Sequence, residues 1–197
     1  MATPARQQYL DIKSQHPDQI LLFRMGDFYE TFDDDARILA RELEISLTSR
    51  EMGKGEKIPL AGIPYHSLNN YLGKLISKNY KVAICEQVSD PKVGKGIVDR
   101  RVVRVATAGT IVEDSLLSSG INNFLASVII SEPYAGLAYI DLTTSEFYTS
   151  QISLSELASE ISRIDPKEII TSTSEQIANL ASLPIDITKV ELSLIHI

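Results

Sequence analysis

The apolar segment that most constrains the fold of this chain has the length of a β-strand. Ile20 to Met25 lies between Pro17 and Gly26, and it is too short to form a buried helix. We therefore predict a central β-strand over these residues. Further along the chain, apolar side chains recur at spacings of three and four residues, which predicts an amphipathic helix, and these residues are Leu68, Tyr71, Leu72, Leu75 and Ile76.

Short strands and short helices alternate along the rest of the chain. Thr3 and Pro4 predict the start of a first helix, and the acidic residues from Asp33 predict the start of a second that ends near Leu43. The glycine-rich charged segment 50–59 is expected to be a loop, and 62–66 a turn. Strands are predicted at 27–32, 45–48, 81–87, 100–107, 124–130, 136–141 and 146–152, and a helix at 154–164. This order predicts an α/β (α+β) fold in which a mixed β-sheet is flanked by helices.

The charge distribution predicts two domains. Residues 1–120 hold 16 basic and 16 acidic residues, whereas residues 121–197 hold 3 and 10 and so carry the whole net charge of -7. A polar segment separates the two compositions. We expect a first domain over 1–115, a linker over 116–122 and a partial second domain over 123–197, because too few residues remain to complete a large sheet.

A local excess of basic residues lies within the first half. Residues 50–104 hold 11 basic and 5 acidic side chains, a net charge of +6, although the whole chain is acidic. Such a footprint is typical of a nucleic-acid contact, and the charge density selects Lys95, Arg100 and Arg101 as candidate phosphate ligands. The alternative is a charged hairpin that only faces water.

Several kinds of site lack the residues that they require. His16, His66 and His196 share no ligand spacing with one another or with Cys85, so no zinc site is predicted. No glycine-rich phosphate-binding motif follows a predicted strand. The N-terminus lacks the apolar core of a signal peptide, and no segment approaches the roughly 20 apolar residues of a membrane span, so the expected location is cytoplasmic.

Two carboxylates offer an alternative chemistry. Asp141 and Glu146 flank a predicted strand turn, and paired carboxylates can hold the metal ions of a nuclease. Such sites need more convergent carboxylates than the sequence provides here.

The segment from Arg24 to Phe32, RMGDFYETF, combines aromatic and acidic residues in a strand-like pattern. If residues 28–30 are extended, Phe28 and Glu30 project from one face and Tyr29 from the other. An exposed apolar ring can insert at a base step and unstack it, and an adjacent acid can hydrogen-bond to a base edge. Spacing alone does not distinguish this arrangement from the many strands that carry the same residue types.

Seven short stretches, in order across residues 5–115, resemble the N-terminal part of the MutS family of DNA mismatch-recognition proteins. Each stretch would be weak by itself, but their collinear order is specific. They are Gln7–Leu10, Phe23–Glu30, Ile45–Thr48, Ile58–His66, Asn70–Leu72, Val82–Gln87 and Val102–Arg104.

The resemblance implies a function for the first domain. In the family, the Phe-x-Glu motif places a phenylalanine ring on the mispaired base and a hydrogen-bonding acid beside it, which correspond to Phe28 and Glu30 here. The expected function is therefore recognition of mispaired or unpaired bases in duplex DNA during mismatch repair. Residues 1–115 would form the mismatch-binding domain.

The resemblance also implies what the remaining residues do. Residues after about 120 would begin a connector domain with a ribonuclease H-like fold, without nuclease activity, that contacts MutL. The alternative function is therefore a protein-interaction module that docks a repair partner through this acidic region. ATP and magnesium belong to the ATPase domain of the intact family protein, which is a homodimer, so we expect this chain to be a monomeric, non-enzymatic fragment without a cofactor.

Overall fold

The computed structural model describes residues 3–53, 55, 57–88, 98–172 and 185–189. The chain divides into two compact units, residues 1–107 and 108–197. The predicted linker, residues 116–122, follows this division by a few residues and stays a prediction. Across the described ranges, none of the helices combines the length and the apolar character that crossing a membrane requires.

The first unit contains a mixed β-sheet with helices on both faces. The described strands form a six-stranded sheet in the order β3-β4-β2-β1-β5-β6. In chain order the elements are α1 (Pro4–Gln15), β1 (Ile20–Met25), β2 (Phe28–Phe32), α2 (Asp33–Leu43), β3 (Thr48–Glu51), β4 (Lys57–Pro64), a 3-10 turn (Tyr65–Ser67), α3 (Leu68–Ile76), β5 (Val82–Gln87) and β6 (Arg100–Ala106).

Strand β1 lies at the centre of this sheet, as the apolar segment predicts. It pairs with β5 in parallel and with β2 in antiparallel orientation. Its residues from Ile20 to Phe23 are at most 3% exposed, because both faces of the strand are covered. The mixed sheet flanked by helices confirms the predicted α+β class.

One face of the sheet packs against α1. The Tyr9 ring of α1 contacts the edges of Phe23 and Phe32, with ring centroids 5.6 Å and 4.8 Å apart. This cluster also includes Leu21 and Cys85. Helices α2 and α3 contact β2, β4 and β5, and their buried side chains cover the opposite face.

A buried carboxylate connects α1, β1 and α2. Asp35, in the first turn of α2, accepts a hydrogen bond from the Leu21 backbone N–H at 3.0 Å and another from the Tyr9 hydroxyl at 3.2 Å. Its other oxygen accepts from Lys13 Nζ at 2.9 Å. All three contacts satisfy a polar group that is 6% exposed, so they fix how α1 packs on the sheet.

The second unit is built on an antiparallel meander. The described strands form a five-stranded sheet in the order β11-β10-β7-β8-β9, and helix α4 packs on one face through Leu157, Ile161 and Ile164. Strands β10 and β11 are parallel to β7. The elements are β7 (Phe124–Ser131), β8 (Tyr134–Asp141), β9 (Glu146–Ser153), α4 (Leu157–Ile164), β10 (Glu168–Thr171) and β11 (Asp186–Lys189).

The predictions for residues 45–66 were wrong in part. The predicted strand 45–48 begins only at Thr48, because Glu44 is left-handed (φ 56°) and the Ile45 N–H still bonds to the end of α2. The predicted loop contains the second half of β3 and the start of β4. Pro59 and Pro64 lie in β4 where it is paired on one side only, at Ser49 and at Phe28 respectively, so a missing N–H is tolerated.

Two strands, β10 and β11, extend the second sheet beyond the predicted meander and helix. Strands β10 and β11 are each only four residues long. Glu168 in β10 is 2% exposed, and its carboxylate accepts hydrogen bonds from the Thr188 hydroxyl at 2.6 Å and the Gly109 N–H at 3.3 Å. A short strand with a buried acid has no simple hydrophobic pattern, which is why the sequence did not indicate it.

Replacing Tyr9 with phenylalanine should destabilise the first unit. The substitution keeps the ring but removes the hydroxyl that bonds to Asp35, so we expect the free energy of unfolding to fall by about 1–2 kcal/mol in urea titrations. Tyr71→Phe is the matched control, because no hydrogen bond is found for its hydroxyl in the described part of the chain. Equal losses in the two variants would contradict a role for the Tyr9 hydroxyl.

Glu42 should contribute a pH-dependent stabilisation on the surface of α2. Hydrogen bonds from Lys78, Arg41 and Tyr80 lower the pKa of its carboxyl to about 2. Because the folded pKa lies below the ordinary value, this stabilisation is complete above about pH 4.5 and is lost as the pH falls towards about 2. Carbon-13 NMR titration should show the Glu42 midpoint rising in Lys78→Met but not in the control Lys74→Met.

Candidate nucleic-acid interface

A tight hairpin presents the Phe28 ring at the end of the first sheet. Met25 and Phe28 are cross-strand partners, so only Gly26 and Asp27 form the turn between β1 and β2. Gly26 has φ 60°, a left-handed conformation that favours glycine. Phe28 is 46% exposed, and Tyr65, which follows β4, is 43% exposed beside the same turn and donates its N–H to the Asp27 carbonyl at 3.0 Å.

Glu30 lies two residues further along β2 and is paired with an arginine. Its carboxylate oxygens accept hydrogen bonds from Arg50 Nη1 at 2.8 Å and Nη2 at 2.9 Å, and its side chain is only 11% exposed. Gly62 is its cross-strand neighbour on β4, where an added Cβ would lie 3.1 Å from the Tyr29 carbonyl and 3.6 Å from Glu30 Cγ. The bidentate pair therefore fixes the carboxylate and compensates its charge.

Tyr29 projects from the opposite face of β2, as the two-residue period predicts. Its hydroxyl donates a hydrogen bond to Glu86 of β5. Burial, followed by this bond to Glu86, raises the pKa of Tyr29 to about 12. Phe28 and Glu30 thus share one face of the sheet and Tyr29 belongs to the other.

Arg100 is engaged inside the first unit. Its Nε donates to the Arg24 carbonyl at 2.6 Å, and its Nη1 donates to Gln8 Oε1 and the Val98 carbonyl, both at 3.0 Å. The guanidinium also lies 4.8 Å from the centroid of the Phe23 ring. Burial lowers the pKa of Arg100. This side chain holds the start of β6 against β1 and α1, a structural role that the charge pattern alone does not reveal.

Of the other two predicted phosphate ligands, Arg101 and Lys95, only Arg101 lies among the described residues. Arg101 is exposed and is the cross-strand partner of Glu86, so it lies on the face of Tyr29 and not on that of Phe28. Lys95 lies outside the described residues. The structure therefore brings Phe28, Glu30 and Arg100 to one face of the sheet and places Arg101 on the other.

Sequence reasoning missed two contributors to this end of the sheet. The predicted loop over residues 50–59 includes Arg50, so the sequence does not indicate its contact with Glu30 across β4. Tyr65 was assigned to a turn without a role. The signal for Arg50 would have been the period of two that places Thr48 and Arg50 on one face of β3.

The alternative nuclease site is not supported by the geometry of the second unit. The Asp141 carboxylate accepts hydrogen bonds from Asn123 N at 2.9 Å, from Thr143 N at 2.8 Å and Oγ1 at 2.6 Å, and from Thr144 N at 3.3 Å. Burial opposes ionisation, but these hydrogen bonds prevail and lower the pKa of Asp141. Among the described residues, no three His, Cys, Asp or Glu side chains are grouped to hold a metal ion. Asp141 thus stabilises the β8–β9 turn.

Family models match both units of the chain. The model described as MutS domain I matches residues 3–115, and the model described as MutS domain II matches residues 123–191. Together these matches include Phe28, Glu30 and Asp141.

Individual relatives carry the same description. The chain is 57% identical over 189 residues to a DNA mismatch repair protein MutS of Dehalococcoides mccartyi strain CBDB1, covering 96% of this chain and 22% of that protein. It is 54% identical over 176 residues to that of Syntrophomonas wolfei, covering 87% and 20%, and 51% identical over 171 residues to that of Halothermothrix orenii, covering 85% and 19%.

The chain therefore spans about a fifth of the length of these relatives. Because the domain I model alone matches more than half of its residues, this chain belongs to the MutS family.

Proposed function

We propose that this chain recognises mispaired or unpaired bases in duplex DNA and that Phe28 is the residue that inserts at the defect. The observation that carries the proposal is the position of Phe28, a large apolar ring left 46% exposed at the tip of a two-residue hairpin. Apolar wedges of this kind enter a base step and kink the duplex. Membership of the MutS family supports the same conclusion.

Discrimination follows from the energy needed to open the base step. Unstacking a step costs a few kcal/mol, and the cost is least where pairing is already disrupted. A ring that gains the same stacking energy at every step will therefore insert most often at mismatches, where opening the step costs least. In this mechanism the deformability of the DNA, more than the identity of the base, determines the preference.

Glu30 supplies the polar contact beside the ring. Arg50 holds both carboxylate oxygens, yet each oxygen keeps a second lone pair that can accept a hydrogen bond from a base edge. The arginine also compensates a negative charge that would otherwise be repelled by the DNA phosphates. Glu30 and Arg50 thus act as one unit, in which Arg50 orients the acid that meets the displaced base.

Phosphate contacts give affinity and register but no preference for a defect. Arg101, which is exposed, and Lys95 are the basic side chains proposed for this role. Arg100 contributes mainly by holding the start of β6 against β1 and α1, because its Nε and Nη1 are already engaged. In this proposal the residues of the first unit act as a DNA-binding module.

Replacing Phe28 with alanine should remove the preference for defective DNA. Fluorescence anisotropy at one fixed salt concentration compares a duplex carrying one unpaired thymine with its matched control. We expect the wild-type chain to bind the defective duplex more tightly and the preference to fall by about tenfold or more in Phe28→Ala, since stacking on an aromatic ring contributes about 1–3 kcal/mol per base. Glu30→Gln should reduce the preference less.

The matched control for this experiment is Phe147→Ala. Phe147 is also an exposed phenylalanine on a strand, 61% exposed, but it belongs to the second unit. Its replacement should leave both affinities unchanged. Full mismatch preference in Phe28→Ala, or binding of neither duplex by the wild-type chain, would contradict the proposal.

A second candidate function rests on the open face of the second sheet. Ile129, Tyr134 and Phe147 lie on the face away from α4 and are 52%, 51% and 61% exposed. Phe147 pairs with Ile140, six residues along β8 from Tyr134, so these side chains are spread along the face. Exposed apolar side chains of this size along one sheet face are typical of a protein-binding surface. We propose MutL as the partner of this surface, as the resemblance of the connector region implies.

Placing a charge on this face should weaken binding to MutL without changing DNA recognition. We expect Phe147→Asp to reduce MutL affinity by about tenfold or more in a pull-down or calorimetric titration, because a charge buried at an interface is costly. The control Ser150→Asp lies on the same strand but faces α4's side of the sheet. Equal binding of MutL to the wild-type chain and Phe147→Asp would exclude this surface.

A further inference from the structure

The Arg24 side chain folds back onto the turn that precedes Phe28. Its Nε donates a hydrogen bond to the Gly26 carbonyl at 2.5 Å. Its guanidinium carbon lies 3.9 Å from the centroid of the Tyr65 ring, and its Nη1 lies 3.8 Å from Glu86 Oε2. The side chain is 18% exposed, so these contacts largely remove it from water.

Both carbonyl groups of the two-residue turn are therefore hydrogen-bonded, one by a side chain of β1 and the other by the backbone that follows β4. Arg24 binds the Gly26 carbonyl, and the Tyr65 N–H binds the Asp27 carbonyl at 3.0 Å. The Arg24 guanidinium also stacks on the Tyr65 ring, so the two residues that bind the turn contact each other as well. Turn residues at a sheet end usually hydrogen-bond to water instead, and they are correspondingly mobile.

Opposite charge and an aromatic layer hold the guanidinium in place. Tyr29 lies beneath it at 5.5 Å, and the Tyr29 hydroxyl also bonds to Glu86. The arginine is thus positioned by two tyrosine rings and by the Glu86 carboxylate near its Nη1. A planar guanidinium can stack and donate in this way, whereas the ammonium of a lysine cannot.

We propose that Arg24 is a positioning residue for mismatch recognition, which locks the Gly26–Asp27 turn so that the Phe28 ring projects in one fixed direction. The inference rests on the proposed function of Phe28. Arg24 itself lies on the face of Tyr29 and contacts neither Phe28 nor the Glu30 carboxylate. It acts by ordering the turn before DNA arrives, which removes an entropic cost from insertion.

A chain in which the Phe28 ring is mobile would still bind DNA, but it would distinguish defective from matched duplexes poorly. A mobile ring can rotate away from an intact base step instead of opening it, and ordering it only on binding costs conformational entropy. Contacts to phosphate would be unaffected, because they involve other side chains. The loss of Arg24 should therefore lower the preference for a defect and leave the affinity for matched DNA nearly unchanged.

The test first measures the turn in the DNA-free chain. Arg24→Met keeps the aliphatic part of the side chain and removes the charged guanidinium, and Arg24→Lys keeps the charge but removes the planar group. We expect nitrogen-15 order parameters at Gly26, Asp27 and Phe28 to fall in both variants from about 0.85 to below about 0.6, with those of β1 and β5 unchanged. Arg37→Met, an exposed arginine on α2, is the control.

The same variants are then compared in the anisotropy experiment. The ratio of affinities for defective and matched duplexes should fall by about two- to tenfold in Arg24→Met and Arg24→Lys, while matched-duplex affinity stays within about twofold of the wild type. Tyr65→Leu removes the stacked ring at a half-exposed position. It should reproduce both effects even if an Arg24 variant fails to fold.

Three outcomes decide between the inference and the function on which it rests. Unchanged order parameters in the Arg24 and Tyr65 variants would overturn the positioning role. Lower order parameters with an undiminished affinity ratio would overturn its link to recognition. A wild-type chain without mismatch preference would overturn the proposed function, and the order parameters would still report whether Arg24 holds the turn.

Discussion

The first unit depends on the buried carboxylate of Asp35. It joins a helix that covers one face of the sheet, a central strand and the helix that follows β2, through bonds to Tyr9, Leu21 and Lys13. Since α2 begins directly after β2, fixing its first turn also fixes the end of the strand that carries Phe28 and Glu30. An interaction at one end of β2 thus supports an exposed hairpin at the other.

Local patterns predicted much of this fold. The apolar run of β1, the periodicity of α3 and the meander of β7, β8 and β9 all depend on neighbours in sequence, and all are confirmed. Strand β4 was missed because Pro59, Gly62 and Pro64 are local signals for turns. The two prolines are tolerated because β4 pairs with a neighbouring strand on only one side at each of them. The sequence of β4 alone does not show which strands lie beside it.

In the candidate site, too, features set by neighbouring residues could be predicted from the sequence, whereas contacts between residues far apart in the chain could not. The opposite orientation of Phe28 and Tyr29 follows from the period of a strand. The pairing of Glu30 with Arg50 joins residues 20 positions apart, and the bond from Arg100 to Arg24 joins residues 76 positions apart. Charge density could select Arg100 as basic, but it could not indicate that its Nε and Nη1 donate hydrogen bonds inside the protein.

The two faces of β2 also restrict how this segment can change in length. Phe28 and Glu30 share a face only because one residue separates them. Insertion of a single residue between them would turn the carboxylate towards Glu86 and away from Arg50, so that two acids would face each other and an arginine would lose its partner. The hairpin can therefore diverge by substitution, but a change of one residue in length would reverse the electrostatics of both faces at once.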